Sequence, residues 1–249
     1  MSDYLVSRSD TLATELVPPP PDARDVCPIC RSWRPSGDEL CSNCRENEGS
    51  LGRACTRILP VSLYRKPSRL RDWLKFYKPG DEEYHPESAD LLGVLLARFM
   101  EEHGDALDRL LGGYDTVCVV PSTERLPPHP LAQVIDAHVA HLAARREELL
   151  TRGPGELSHR RPSVDAFQPT TDVTGRRVLL VDDVYTTGAR AQSAACALEI
   201  AGAHVPAVLV IARRINPEWR SEVSVLWERQ RAVPFTFAAA SFWDRSRSP

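Results

Sequence analysis

Unbroken apolar runs and helical apolar stripes alternate along this chain. The runs are Ile58 to Tyr64 (ILPVSLY), Thr116 to Val120 (TVCVV), Val178 to Val181 (VLLV) and Val205 to Ile211. The last three lack polar alternation, as expected of strands buried on both faces of a sheet. Helical spacing appears from Pro67 or Ser68 to about Tyr77, where Trp73, Phe76 and Tyr77 share a face with Leu70. It returns from Glu87 to about His103 around Leu91, Leu92, Leu95, Leu96 and Phe99, and again from about Pro130 to Leu150. An alanine-rich stretch from about Ala189 to Ala201 and a segment from Pro217 to Gln230, burying Trp219, Val223 and Trp227, complete the set. Strand and helix patterns in alternation predict an α/β protein, a mostly parallel sheet flanked by helices.

One junction in this pattern carries chemistry. The run ending at Val181 is followed by Asp182 and Asp183, at the carboxyl end of the expected strand, where open α/β sheets hold their ligands. Tyr185, Thr186, Thr187 and Gly188 then form a hydroxyl-rich turn that opens straight into the next helix. Backbone N–H groups at such a helix start suit a phosphate, and the neighbouring acids suit ribose hydroxyls. A plain strand–loop–helix with a Thr cap and solvated acids is the blander alternative. Receiver domains and phospho-aspartate phosphatases also carry acid pairs at strand ends, but without Thr-Thr-Gly following.

The first sixth of the chain is organised differently. Pro18 to Pro21 reads as a stiff linker behind a mobile tail. Four of the seven cysteines then stand as Cys27-x-x-Cys30 and Cys41-x-x-Cys44. Each knuckle aims two thiolates at one point, and two knuckles complete a tetrahedral zinc site, with rubredoxin-type iron as the competing metal. With no fifth ligand or acid in view, the metal is expected to be structural. Cys118 and Cys196 read as buried packing residues, and Cys55 stays unassigned.

Composition narrows the class. The 249 residues are 42% hydrophobic and 26% charged, ordinary for a globular protein, and no apolar run is long enough to span a membrane. With no secretory pattern at the start, a cytoplasmic location is expected. A formal net charge of −3 argues against coating nucleic acid by bulk electrostatics. The stretch with Arg65, Lys66, Arg69, Arg71, Lys75 and Lys78 is the most basic. It reads first as a solvated helix face, and second as a rim for pyrophosphate or a nucleic-acid strand.

The segment Val178 to Arg190 (VLLVDDVYTTGAR) resembles the signature of the type I phosphoribosyltransferases, which use 5-phosphoribosyl 1-pyrophosphate (PRPP). The order of four-cysteine module, strand ending in Tyr, helix closing on Lys, leucine-rich helix and this signature is similar to the ComF-like proteins. Only the cysteine pairs and residues 178–188 are specific motifs. The resemblance implies a type I phosphoribosyltransferase fold behind a zinc-ribbon-like module. It also implies displacement of pyrophosphate from PRPP by a small nitrogen acceptor, with Mg²⁺ on the pyrophosphate. Asp182 and Asp183 would hold the ribose and help order the metal. Thr186, Thr187 and Gly188 would hold the 5′-phosphate with Tyr185 flanking, and Val184, Ala189 and Arg190 would complete the PRPP-binding stretch, with Arg190 either adding a phosphate contact or obstructing one. Ser122, Thr123 and Arg125 would form the pyrophosphate wall. Arg190 stands where that family often has Thr or Ser. Residues 152–171, with Arg160 and Arg161, would be a mobile hood, or a plain surface loop.

The expected division is a tail and linker over 1–25, the zinc module over 26–55, the phosphoribosyltransferase-like domain over 56–235, and a tail over 236–249. Two further readings accompany the enzyme: a non-catalytic PRPP or nucleotide binder, and an accessory factor of competence contacting single-stranded DNA. No membrane insertion is expected, and the oligomeric state stays open.

Overall fold

The structure is a computed structural model describing residues 2–80, 83–122 and 127–238. In chain order, α1 (Asp3–Ala13) and α2 (Ser42–Leu51) precede β1 (Ile58–Tyr64), α3 (Arg69–Phe76) and α4 (Pro86–Leu111). Next come β2 (Thr116–Val119), α5 (Pro130–His138), α6 (Ala140–Ala143) and the short strands β3 (Leu150–Arg152) and β4 (Phe167–Pro169). The chain closes with β5 (Val178–Tyr185), α7 (Ala189–Ile200), β6 (Val208–Arg214) and α8 (Ser221–Arg231). Four of the strands form one parallel sheet in the order β1-β6-β5-β2, and β3 and β4 pair antiparallel as a separate ribbon.

The sheet divides the core in two. On one face Leu179, Val181, Leu209 and Ile211 pack with Leu92, Leu95, Leu96 and Phe99 of α4 and with residues of α1, α3 and α5. On the other, Val178, Leu180, Val208 and Val210 pack with Ala191, Ala194, Ala195 and Leu198 of α7, with Phe167, and with all four knuckle cysteines. The cysteine module therefore has no separate core. It shares one with the sheet. Truncating a fully buried leucine such as Leu95 is worth about 2–5 kcal/mol in a core of this kind.

One register detail makes room for a site. β2 pairs only with Val178–Val181, from Thr116↔Val178 to Val119↔Val181, while β6 accompanies β5 as far as Tyr185↔Arg213. β5 therefore projects past the end of β2, leaving one flank open. The aspartates expected at the strand tip lie inside the strand instead, because β6 supplies backbone partners up to Arg213.

Several other expectations are corrected. The helix expected from Pro130 to Leu150 breaks at Val139 (φ −121°, ψ 73°), and Leu150 begins a strand. The last sheet strand starts at Val208 rather than Val205, since Pro206 has no N–H to give to a ladder. α4 runs on to Leu111 and stops at Gly112, whose φ of 67° is the left-handed stop that glycine tolerates. On α3 the buried positions are Leu70 and Leu74, with Tyr77 just past its end, while Trp73 and Phe76 are half-buried. Trp219 is exposed. The segment expected as a mobile tail carries α1, whose Leu12 enters the core, and Val17 N–H donates to Ser62 Oγ at 3.0 Å. Phe237, in the other expected tail, is buried. Among the described residues, no helix is long and apolar enough to cross a membrane.

Candidate functional site

Where β5 outruns β2, a cavity of about 360 Å³ opens, walled by the whole of residues 182–191 with Lys78, Ser158 and His159. Its floor is the turn between β5 and α7. Gly188 is the residue before α7, in a left-handed conformation (φ 95°), with no side chain capping the helix. A Cβ at this position would overlap the Tyr185 hydroxyl and come within 2.8 Å of Asn47 Nδ2, so both conformation and space require glycine. Behind the turn, Arg213 Nη1 donates to the carbonyls of Tyr185 (3.0 Å) and Thr186 (2.5 Å), and Asn47 Nδ2 donates to that of Thr187 (3.0 Å). The carbonyls are thus engaged from the rear. Ala189, Arg190 and Ala191, the first residues of α7, whose N–H groups have no partner in the preceding turn of a helix, line the cavity. Thr187 is buried and its hydroxyl donates to the His159 carbonyl, whereas Thr186 is half-buried in the wall.

The two aspartates are not solvated acids. Their side chains are 4% and 6% exposed, and cations of the chain itself lie against them. Arg190 Nη2 reaches Asp182 Oδ1 at 2.6 Å and Asp183 Oδ1 at 2.9 Å, and Arg190 Nε approaches Asp182 Oδ2 at 3.4 Å. Asp183 Oδ2 accepts from Tyr77 Oη at 2.9 Å and faces Lys78 Nζ at 2.8 Å. Burial, helped by the neighbouring carboxylate, pushes Asp182 up to about 7, against the pull of Arg190. Burial acts on Asp183 in the same direction, but Lys78 and Arg190 prevail and hold it well below the usual carboxylate range. Each of the four carboxylate oxygens thus has a donor within the chain, and the two charges meet two cations. In this arrangement three of the four oxygens are closely engaged, and Asp182 Oδ2, with its 3.4 Å contact, is the least engaged. An Mg²⁺ ion, which takes near-octahedral oxygen ligands, would come against Arg190 and Lys78 here.

A second, smaller cavity of about 40 Å³ adjoins the first, sharing Lys78, Asp182, Asp183 and Arg190 with it. Ser122 lies in its wall with Val120 and Leu131. Thr123 and Arg125, the other expected members of the pyrophosphate wall, lie outside the described residues. The expected hood is anchored at its base, where the β3–β4 ribbon puts Phe167 into the core. Its Ser158 and His159 reach the cavity, while Arg160 and Arg161 are exposed.

Residues 182–190 therefore converge on one cavity, Ser122 on its annex, and the four cysteines elsewhere. Sequence reasoning left Tyr77, Asn47 and Arg213 out of the site, gave Lys78 only within a basic stretch whose second reading was a pyrophosphate rim, and His159 only within the hood segment. Lys78, one of only three lysines, closes the basic stretch beside Tyr77 and was the legible signal. That stretch otherwise spends much of its charge internally: Lys75 pairs with Glu83, Arg71 with Asp72 at 2.8 Å, and Arg69 with Glu15 at 3.6 Å. His138 and His141 are half-buried and pack against Gly93 and Gly104 of α4.

The Sγ atoms of Cys27, Cys30, Cys41 and Cys44 all lie within 4.8 Å of one another, and all four residues are buried. Thiol contacts from Cys30, Cys41 and Cys44 drive Cys27 down, while Cys30, Cys41 and Cys44 are raised, in each case first by contact with Cys27. Four such thiols in so small a space form the donor set of a tetrahedral zinc ion, which would tie the two knuckles together. Arg213 also touches this cluster, donating to Cys30 O at 3.0 Å and approaching Cys30 Sγ at 3.7 Å. Cys55 lies beside it, its Sγ 3.5 Å from Cys44 O.

No model of a known protein family matches the sequence, and no curated protein matches it. Among solved structures, the chain is similar to a phosphoribosyltransferase from Corynebacterium diphtheriae (21% identity, TM-score 0.35, covering 74% of this chain and 89% of that one). It is also similar to the UMP synthase of Leishmania donovani (17%, 0.32, covering 77% and 41%). A third is the orotate phosphoribosyltransferase of Mycobacterium tuberculosis H37Rv in complex with inorganic phosphate (18%, 0.31, covering 76% and 84%).

Proposed function

We propose that this protein is a phosphoribosyltransferase-like enzyme that binds PRPP and passes its phosphoribosyl group to a small nitrogen acceptor, releasing pyrophosphate. The observation that carries the reading is the uncapped start of α7 at Gly188, opening on a cavity beside two cations. The N–H groups of Ala189 to Ala191 would hold the 5′-phosphate, with the Thr186 hydroxyl beside them. Lys78 and Arg190 would face the pyrophosphate, Ser122 would extend that wall toward the annex, and Thr123 and Arg125 are proposed as its further members from the sequence. As the bond between C1 and pyrophosphate lengthens, the leaving group gathers negative charge, and fixed cations serve that moment best. Asp182 and Asp183 hold these cations in place and lie where the ribose hydroxyls would come.

A second reading, PRPP or nucleotide binding without turnover, is favoured by the ion pairs themselves, since both acids already have partners.

The test is calorimetry with PRPP on the full chain and on Gly188→Ala, with a pyrophosphate-release assay across purine and pyrimidine bases. Wild type should bind, and Gly188→Ala should bind at least about tenfold more weakly, a change of roughly 1.4 kcal/mol. Equal binding by the two proteins would remove the turn from the site. Binding without pyrophosphate release against any base would select the second reading.

A further inference from the structure

The acid pair raises a question of charge. Two buried carboxylates beside a site for a polyanion ordinarily call for a divalent cation between them. Here that position is filled by the chain. The Arg190 guanidinium bridges both acids through a single nitrogen, at 2.6 Å and 2.9 Å, and Lys78 closes on the far oxygen of Asp183 at 2.8 Å. Further bonds engage three of the four oxygens from inside: Asp183 N–H donates to Asp182 Oδ1 at 2.9 Å, Val184 N–H to Asp183 Oδ1 at 2.8 Å, and the Tyr77 hydroxyl to Asp183 Oδ2.

Position makes Arg190 more than a structural counter-ion. It is the second residue of α7, so its backbone belongs to the first turn of the helix while its side chain folds back onto β5. The Arg190 side chain stays 31% exposed, and it lines both the larger cavity and the annex. One residue thus carries positive charge to the seam where two anionic groups of a ligand would meet. A hydrated divalent ion entering there would have to evict it or sit beside two cations.

We propose that Arg190 takes the place of a divalent metal at the acid pair, so that the cavity accepts phosphorylated pentoses as free anions, without Mg²⁺. The proposal rests on the reading of the β5–α7 turn as a phosphate cradle. It makes Arg190 the residue that sets the metal requirement.

The experiment uses the full, zinc-loaded chain and two probes, ribose 5-phosphate and PRPP, titrated by calorimetry. Buffers are stripped of Mg²⁺ by resin, not by a chelator that would also attack the cysteine site, or supplemented with excess Mg²⁺. Wild type is expected to bind each probe with affinities that agree within about threefold in the two buffers. Arg190→Ala is expected to lose about tenfold or more without Mg²⁺ and to recover part of it when Mg²⁺ is present, as the acids become available. Arg190→Lys keeps a cation and should stay independent of Mg²⁺. If Arg190→Ala fails to fold, the wild-type comparison and Arg190→Lys decide alone. Wild-type binding that appears only with Mg²⁺ overturns the proposal while leaving the phosphate cradle standing. Absence of binding by wild type in either buffer brings down the cradle, and this inference with it.

Discussion

The molecule buries two clusters of acidic side chains and treats them in opposite ways. Asp182 and Asp183 are matched charge for charge by Arg190 and Lys78. Cys27, Cys30, Cys41 and Cys44 converge more tightly, yet the cation seen against their sulfurs is Arg213, 3.7 Å from Cys30. Taking an anion out of water is costly unless a cation goes with it. One cluster draws its cation from the sequence, and the other is built to receive it from outside. A cluster of ligand-type residues is therefore a metal site only where the chain has left the charge unmatched.

The strongest way to break this contrast is at the cysteines. Metal analysis should find about one zinc per chain, and Cys27→Ser or prolonged chelation should remove it. Apparent zinc binding is worth about 10–16 kcal/mol in small zinc peptides. Because these cysteines share a core with the sheet, metal loss should lower the melting temperature of the whole chain by roughly 10 °C or more, at about 2–4 °C per kcal/mol for this size. A melting curve unmoved by metal loss would show that the sheet does not depend on the module.

Next in size is Arg190→Ala read as stability. It leaves two buried carboxylates to Lys78 alone. Removing one partner of a fully buried pair costs about 3–5 kcal/mol, and the 31% exposure of the Arg190 side chain puts this case at the lower end. Urea unfolding measures it, and Arg190→Ala combined with Asp182→Asn should recover part of the loss. No recovery would mean that Arg190 stabilises through packing rather than charge.

The smallest effect is in pH. Burial lifts Asp182 to about 7, so below that value the folded site carries one more net positive charge. Sulfate, which stays dianionic, should bind a few-fold more tightly at pH 6 than at pH 8, short of the tenfold that a full unit of coupling would give. Asp182→Asn should flatten the profile at the tighter level. His159 also lines the cavity, and burial followed by Arg214, Arg160 and Lys66 lowers its affinity for a proton. Any slope left in Asp182→Asn belongs to it. For folding, the raised Asp182 makes the native state hold its proton more tightly than the unfolded chain. Its contribution is therefore most favourable below about pH 4 and fades as pH climbs toward 7. Asp183, held low, works the other way and loses its contribution in acid.

Much of the architecture was legible because the sheet strands contain apolar runs without polar alternation, and few other structures suit that pattern. The cysteine knuckles were legible because spacing alone brings two thiols together. What escaped depended on contacts far apart in the chain. Nothing local to Arg190 says that it folds back seven and eight residues onto the acids, and Lys78 reaches Asp183 across 105 positions of sequence. The break at Val139 and the burial of Phe237 are likewise set by neighbours distant in sequence. The projecting end of β5 follows from the lengths of two other strands, β2 and β6, which no reading of residues 178–185 contains.

One guanidinium has an outsized practical consequence. Arg213 spans from Cys30 to the carbonyls of Tyr185 and Thr186, and Asn47 reaches across from the same module to Thr187. Cutting the chain after the cysteines to isolate the sheet and its helices would strip that arginine of its Cys30 acceptor and the turn of its rear support. The piece that looks like a detachable appendage is a wall that the neighbouring room leans on.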